Sequence, residues 1–233
     1  MYTFSTRVRY SEVDYREKVN IRQIVDFFQD CSTFQSEELG GGVEVLRKQN
    51  VTWVLANWNI EIKRYPTLGE EIIVGTYPYS FHECFGMRNY FIKDSKGEII
   101  AMADSLWTLI DYEKGSITRI TDEIKNIYEL EEKLDMDYRK GRIKIPKELT
   151  QKEEMKAYYH NIDSNEHVNN AQYLDMALDI LDKKDYSKIR VEYRKQMRQG
   201  EKIYLFAGKN ELGDVVVLRN EEMENGTILE FIE

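Results

Sequence analysis

Two stretches decide how this chain is read: YSEVDYREKVNIRQIVDFF (Tyr10–Phe28) and YHNIDSNEHVNNAQYLDMA (Tyr159–Ala177). Laid over each other without a gap, they set Tyr10 on Tyr159, Asp14 on Asp163, Glu17 on Glu166, Val19 on Val168, Asn20 on Asn169, Gln23 on Gln172 and Asp26 on Asp175. The offset is constant at 149 (163 − 14). Two further matches follow in the same order. YPTLGEEI (Tyr65–Ile72) lies over QMRQGEKI (Gln196–Ile203), with Gly69 on Gly200, and KDSKGEII lies over EMENGTIL. A long-period match made once, and in one order, predicts a duplicated fold unit rather than a solenoid.

Each unit reads alike. A short alternating strand comes first (Thr3–Tyr10; Glu154–Tyr159), then a polar loop, then an amphipathic helix. Ile21, Ile24, Val25 and Phe28 mark the first helix, with Cys31 continuing the stripe; Ala171, Leu174, Ala177, Leu178 and Leu181 mark the second. That spacing is helical. Four alternating stretches follow in each unit, separated by turn residues such as SKG, LGD and ENG, as antiparallel hairpins require. The expected class is α+β, each long helix wrapped by an antiparallel sheet that buries its apolar stripe. The units are expected at residues 1–117 and 151–233, with a charged connection at 118–150.

The chain has 233 residues, 42% of them hydrophobic, and a net charge of −9. The apolar fraction supports a real core, and the charge argues against a nucleic-acid binder, which needs a basic surface. Two cysteines, Cys31 and Cys84, make neither a metal spacing nor a disulfide framework. No stretch reads as a targeting peptide or reaches membrane-spanning length, so a cytoplasmic protein is expected. Exposed sheet edges suggest a homodimer.

Asp163, Asn165 and His167 fall at i, i+2, i+4, which in an extended loop puts their side chains on one side. Asn169 or Asn170 caps the helix behind them, and its free N–H groups could steady an oxyanion. A carboxylate, a carboxamide and an imidazole there suit attack on a carbonyl. At the equivalent positions of the first unit stand Asp14, Arg16 and Lys18, so the reactive set occurs once on a scaffold present twice. The plainer reading is that Asp and Asn ahead of a helix are caps and turn formers. His160, Asp163, Glu166 and His167 fit no standard zinc pattern, and no cofactor is called for. No G-x-S-x-G elbow occurs. Cys31 on the helix stripe and Cys84 in a strand read as core residues.

Four blocks, SEVDYREKVNIRQIVDFFQD, WVLANWNIEIKRYPTLGEEIIVGTY, ADSLWTLID and IDSNEHVNNAQYLDMAL, resemble in sequence and order those of the acyl-ACP thioesterases, which hydrolyse fatty acyl-acyl carrier protein. The resemblance covers nearly the whole chain and implies a double hotdog fold and a role in fatty acid metabolism. The family's Asp-x-Asn-x-His motif falls on Asp163, Asn165 and His167, which the resemblance implies are catalytic. Where many members carry Glu and Cys, this chain has Gln196 and Met197. Met197 cannot be a nucleophile and Gln196 cannot be a base, though its amide can orient a water. The resemblance thus points to water activated by Asp163 and His167, with Asn165 and the N–H groups of Val168, Asn169 and Asn170 holding the substrate; direct attack by Asp163 is the competing route. By the same analogy the acyl chain enters the first unit near Trp53 and Trp58. Acyl carrier protein is acidic, and Arg190, Arg194, Lys195 and Arg198, with Lys202, form the expected docking patch. An acyl-CoA thioesterase and a non-catalytic acyl-binding protein are the alternatives.

Overall fold

The helix stripe organises each unit. In α1 (Ile21–Glu38), the side chains of Ile21, Ile24, Val25, Phe28 and Cys31 have no solvent exposure. Burial of each large apolar side chain contributes about 1.5–3 kcal/mol. Asn20 caps this helix, its side-chain oxygen accepting from the Gln23 N–H at 2.8 Å. The helix stops where Gly40 adopts a left-handed φ of 76° and the Gly41 N–H turns back to the Ser36 carbonyl at 2.8 Å.

The computed structural model describes all 233 residues. They group into two units, Met1–Val19 with Ile24–Tyr138, and Asn20–Gln23 with Arg139–Glu233. The first holds strands β1 (Tyr2–Arg7), β2 (Val51–Ile62), β3 (Glu71–His82), β4 (Phe85–Lys93), β5 (Ile99–Asp111) and β6 (Ser116–Ile117), with short helices α2 (Val43–Lys48) and α3 (Asp122–Asn126). Its strands run in the order β1-β3-β4-β5-β2, all antiparallel, with β6 on β5. The second holds β7 (Thr150–Lys156), α4 (Gln172–Asp179), β8 (Lys188–Tyr193), β9 (Lys202–Lys209), β10 (Asp214–Arg219) and β11 (Asn225–Ile232). Its order is β7-β9-β10-β11-β8, the first unit's order again, with α4 against β10 and β11. No helix is long and apolar enough to cross a membrane.

The opening strands are displaced from the expected bounds. β1 ends at Arg7 and β7 at Lys156; Tyr10–Glu12 and Tyr159–Asn161 instead form single 3₁₀ turns. The cause is local. The Glu12 carboxylate accepts from the Arg9 N–H at 2.8 Å and the Asn161 amide oxygen from the Tyr158 N–H at 2.9 Å, each drawing the chain out of the ladder. The edge strand β7 carries Lys152, Glu153, Glu154 and Lys156, a charge pattern that opposes edge-to-edge pairing.

Residues 118–150 divide between the units at Tyr138. Residues 139–149 run as a strap over the face of the second sheet that α4 leaves bare. Ile143, Ile145 and Leu149 pack there on Phe206, Val215, Val217 and Ile228. Gly208 makes room, since a Cβ would sit 2.6 Å from the Glu148 carbonyl oxygen. Beneath the strap Arg190 meets Glu230 at 3.3 Å and donates to the Gly141 carbonyl at 2.6 Å, while Glu230 is 1% exposed. Removing one partner of a buried pair strands the other's charge. Arg190→Met is therefore expected to lower stability by about 3–5 kcal/mol in urea unfolding.

Candidate active site

Asp163, Asn165 and His167 do not lie in extended chain. They form a tight turn in which the Asp163 N–H donates to the His167 carbonyl at 2.8 Å and Glu166 takes a left-handed φ of 63°. The Asp163 carboxylate builds this turn, accepting from the N–H of Asn165 at 2.8 Å and of His167 at 3.3 Å. An aspartate bonding its own backbone two residues on is a common turn former. The first unit has the same turn. The Asp14 N–H donates to Lys18 at 2.9 Å, the Asp14 carboxylate accepts from Arg16 at 2.8 Å, and Glu17 has φ 58°. There the Asp14 carboxylate also binds the Arg16 guanidinium at 2.6 Å; burial pushes its pKa up, but these hydrogen bonds and that cation outweigh it and hold it below the usual range. In the second unit no cation stands at that position: Asn165 is exposed and His167 half-buried, its Nδ1 sealed from solvent without a hydrogen-bond partner.

The turn is pinned to the corner before β9. His167 bridges to Arg198, and the Val168 N–H donates to the Met197 carbonyl at 2.8 Å. That brings the exposed Gln196 to the same end of the unit. Met197 is fully buried and fills the space over Gly226, where a Cβ would meet its methyl group. Its backbone N–H donates to the Tyr173 hydroxyl at 3.3 Å, and the Tyr193 hydroxyl donates to the Asn170 carbonyl at 3.0 Å. These two tyrosines brace the site from α4 and β8. Tyr173 beside an apolar stripe and Tyr193 in an alternating strand read as packing residues in the sequence.

Two of the three N–H groups expected to face an oxyanion are already committed, Val168 to Met197 and Asn169 to Asn161, the latter at 2.8 Å. Asn170 retains an N–H with no bonded partner. The expected cap is also displaced. Asn169 accepts from the Ala171 N–H at 2.8 Å and the helix begins only at Gln172, because this asparagine closes a turn first. A separate cleft of about 860 Å³ in the same unit, lined by Tyr158, His160, Gln172 and Lys202 among others, contains none of Asp163, Asn165 and His167. His160 stacks on Tyr158 there, and no group of carboxylates, histidines and cysteines assembles as a metal site.

Comparison with known proteins gives this geometry a setting. Residues 1–128 match the acyl-ACP thioesterase N-terminal domain and residues 144–230 its C-terminal domain. The chain belongs to the acyl-ACP thioesterase family. It is 26% identical over 219 residues to oleoyl-acyl carrier protein thioesterase 2, chloroplastic, of Arabidopsis thaliana, covering 82% of this chain and 58% of that one. It is 23% identical over 212 residues to the acyl-[acyl-carrier-protein] hydrolase FATB3, chloroplastic, of Cuphea viscosissima, covering 84% and 52%. The chain thus spans little more than half the length of these plant relatives. An acyl-ACP thioesterase from Bacteroides thetaiotaomicron superposes with a TM-score of 0.90 at 22% identity, covering 99% of this chain and 96% of the other. The 12:0-ACP thioesterase from Umbellularia californica superposes at 0.85 with 17% identity over 99% and 96%. The α+β fold is the hotdog fold, present twice.

Within this thioesterase-family chain the expected docking cations are mostly spent. Arg190 lies under the strap, Arg194 pairs with Glu192 at 2.8 Å and Lys195 pairs with Glu224. Arg198 is exposed. Trp58 is buried in the first unit against Phe28 and Tyr90, whereas Trp53 stacks on Phe81 beside the cluster of Leu46, Leu109, Ile120 and Ile124. Cys84 sits in the turn ahead of β4 rather than in a strand. Burial pushes the Cys31 thiol up to about 12.

Two outcomes follow from these environments. Asp14→Ala and Asp163→Ala should each cost about 1–3 kcal/mol in urea unfolding, the penalty for leaving turn N–H groups unbonded. With iodoacetamide at pH 8, native protein should take label at Cys84 and none at Cys31, because only the thiolate reacts; peptide mapping reads both sites.

Proposed function

We propose that the chain hydrolyses the thioester of a fatty acyl group on acyl carrier protein, releasing the free fatty acid. The observation that carries this reading is the unequal pair of turns. One backbone device is built twice, but only the copy in the second unit replaces two cations with a carboxamide and an imidazole. Family membership supplies the substrate class, and the names of the plant relatives agree with it.

In this mechanism His167 takes a proton from a water as its oxygen bonds to the acyl carbon. The C–S bond breaks, and the proton passes to the departing thiolate. Asp163, anchored through its turn, holds His167 and Asn165 in place through their backbone N–H groups. The Asn165 amide and the Asn170 N–H steady the developing oxyanion. Gln196 orients the water. No cofactor is required. The acyl chain lies in the first unit, with Trp58 in its wall. Arg198, with Arg194 and Lys195 once they exchange their carboxylate partners, receives the acidic carrier protein. A reducing cytoplasm is compatible with the two unpaired thiols.

Thiol release from one acyl group, presented on carrier protein and on CoA at matched concentration, tests the reading. Release from the carrier-protein thioester is expected to dominate, and His167→Ala should cut it by about 10²- to 10⁴-fold without loss of fold. Equal release from both would make the enzyme a general acyl thioesterase. Binding without release would make it an acyl-binding protein.

A further inference from the structure

Between α1 and the sheet of the first unit lies a guanidinium that the reaction above does not use. Arg88, on β4, is 8% exposed and has no carboxylate within 4 Å. Its Nη1 donates to the Gln35 side-chain oxygen on α1 and, at 3.2 Å, to the Thr76 hydroxyl on β3. The Tyr128 ring covers it at 5.3 Å. A charge taken out of water without a counter-ion costs several kcal/mol. Gln35 and Thr76 satisfy only one of its three nitrogens.

The strand register gathers more donors around it. Trp58, Ser105 and Arg88 form one cross-strand row, and Tyr90 and Thr76 belong to the next row on the same face. The Trp58 indole N–H is sealed and donates to nothing. The Tyr90 hydroxyl, with Ser32, Ser105 and Trp107 as polar neighbours, likewise has no partner at hydrogen-bonding distance. The acceptors, by contrast, are occupied: the Gln35 oxygen takes Arg88, and the Ser105 hydroxyl oxygen takes the Trp107 indole N–H at 2.8 Å. What remains unspent is a set of donors around one positive charge. Plain hydrocarbon satisfies none of them.

We infer that the Arg88, Trp58 and Tyr90 donors of the first unit recognise a carboxylate at the far end of the substrate chain, so that the preferred acyl group is an ω-carboxyacyl one. The inference rests on the proposed role of the first unit as the acyl-chain compartment. A carboxylate matches the guanidinium fork and neutralises the buried charge in one step. Its second oxygen then meets the Trp58 N–H or the Tyr90 hydroxyl.

The test uses two probes of equal chain length and calorimetry on the intact chain: the monomethyl ester of a medium-chain dicarboxylic acid, and the methyl ester of the corresponding fatty acid. The half-ester is expected to bind about 10- to 100-fold more tightly, the span of a charge-assisted hydrogen bond. Arg88→Met should abolish that margin and Arg88→Lys should restore part of it. Trp58→Phe, which keeps the bulk of the ring and deletes one donor, should narrow the margin even if the Arg88 variants fold poorly. Equal or weaker binding of the half-ester, or a margin indifferent to both Arg88 and Trp58 replacement, overturns the inference. Thiol release from carrier protein bearing each acyl group separates this from the reading beneath it. Turnover of the plain chain with no Arg88-dependent half-ester binding removes the inference and leaves the hydrolase. Arg88-dependent binding without turnover keeps the inference and removes the hydrolase.

Discussion

A carboxylate that bonds the backbone of its own turn is the constraint on which both units depend. Asp14 and Asp163 each close a turn against a residue four positions on, and each turn forces a glutamate into a left-handed conformation that costs about 1–2 kcal/mol. Such strain persists only where the surroundings over-determine it. Here the corners at Gly69 and Gly200 do so. The Gly69 N–H donates to Val8 at 3.0 Å, and the Gly200 N–H to Ala157 at 2.8 Å. The entry strand, the turn and the corner ahead of the third strand therefore form one hydrogen-bonded piece, made twice. His167 owes its place to this piece rather than to the helix behind it.

Both sheets bury polar groups on the face away from the helix, and each does so under a connecting segment. In the first unit Asp104 accepts from the Tyr79 hydroxyl at 2.7 Å, and Asn89 accepts from the Tyr138 hydroxyl at 2.8 Å. Burial pushes the Asp104 carboxyl up from its usual value. In the second unit the Arg190–Glu230 pair is covered by the strap. A fully bonded polar layer fixes how a segment lies across a sheet more sharply than apolar packing does.

The duplicated unit was legible because the repeat keeps the residues that shape the backbone: Asp14 and Asp163, Gly69 and Gly200, Asn20 and Asn169. The helix stripes were legible because one face of α1 and of α4 is buried throughout. The geometry of the turn at Asp163–His167 was not. Asp-x-Asn-x-His is compatible with extended chain and with a turn, and only the carboxylate's choice of its own N–H groups decides between them. The docking patch failed at Arg190 for a different reason. A charge on an alternating strand reads as solvent-facing, and nothing local announces that a segment some fifty residues earlier will cover it. Arg88 is hidden in the same way: in CFGMRNYFIKD a single arginine reads as the wet side until register assigns that side to the helix.

The position of β11 bears on how the second unit assembles. It comes last of that unit's strands in sequence yet stands inside the sheet, between β10 and β8. The meander β9–β10–β11 closes through short loops, whereas β8 must pair with a strand more than thirty residues away. Loop-closure entropy orders these events, with the meander first and β8 afterwards. The Asp163–His167 turn bonds to the segment joining β8 to β9, at Met197 and Arg198. It acquires its shape only when that segment does. Within this unit, the Asp163–His167 turn therefore takes shape with the late-pairing segment ahead of β9 rather than with the meander.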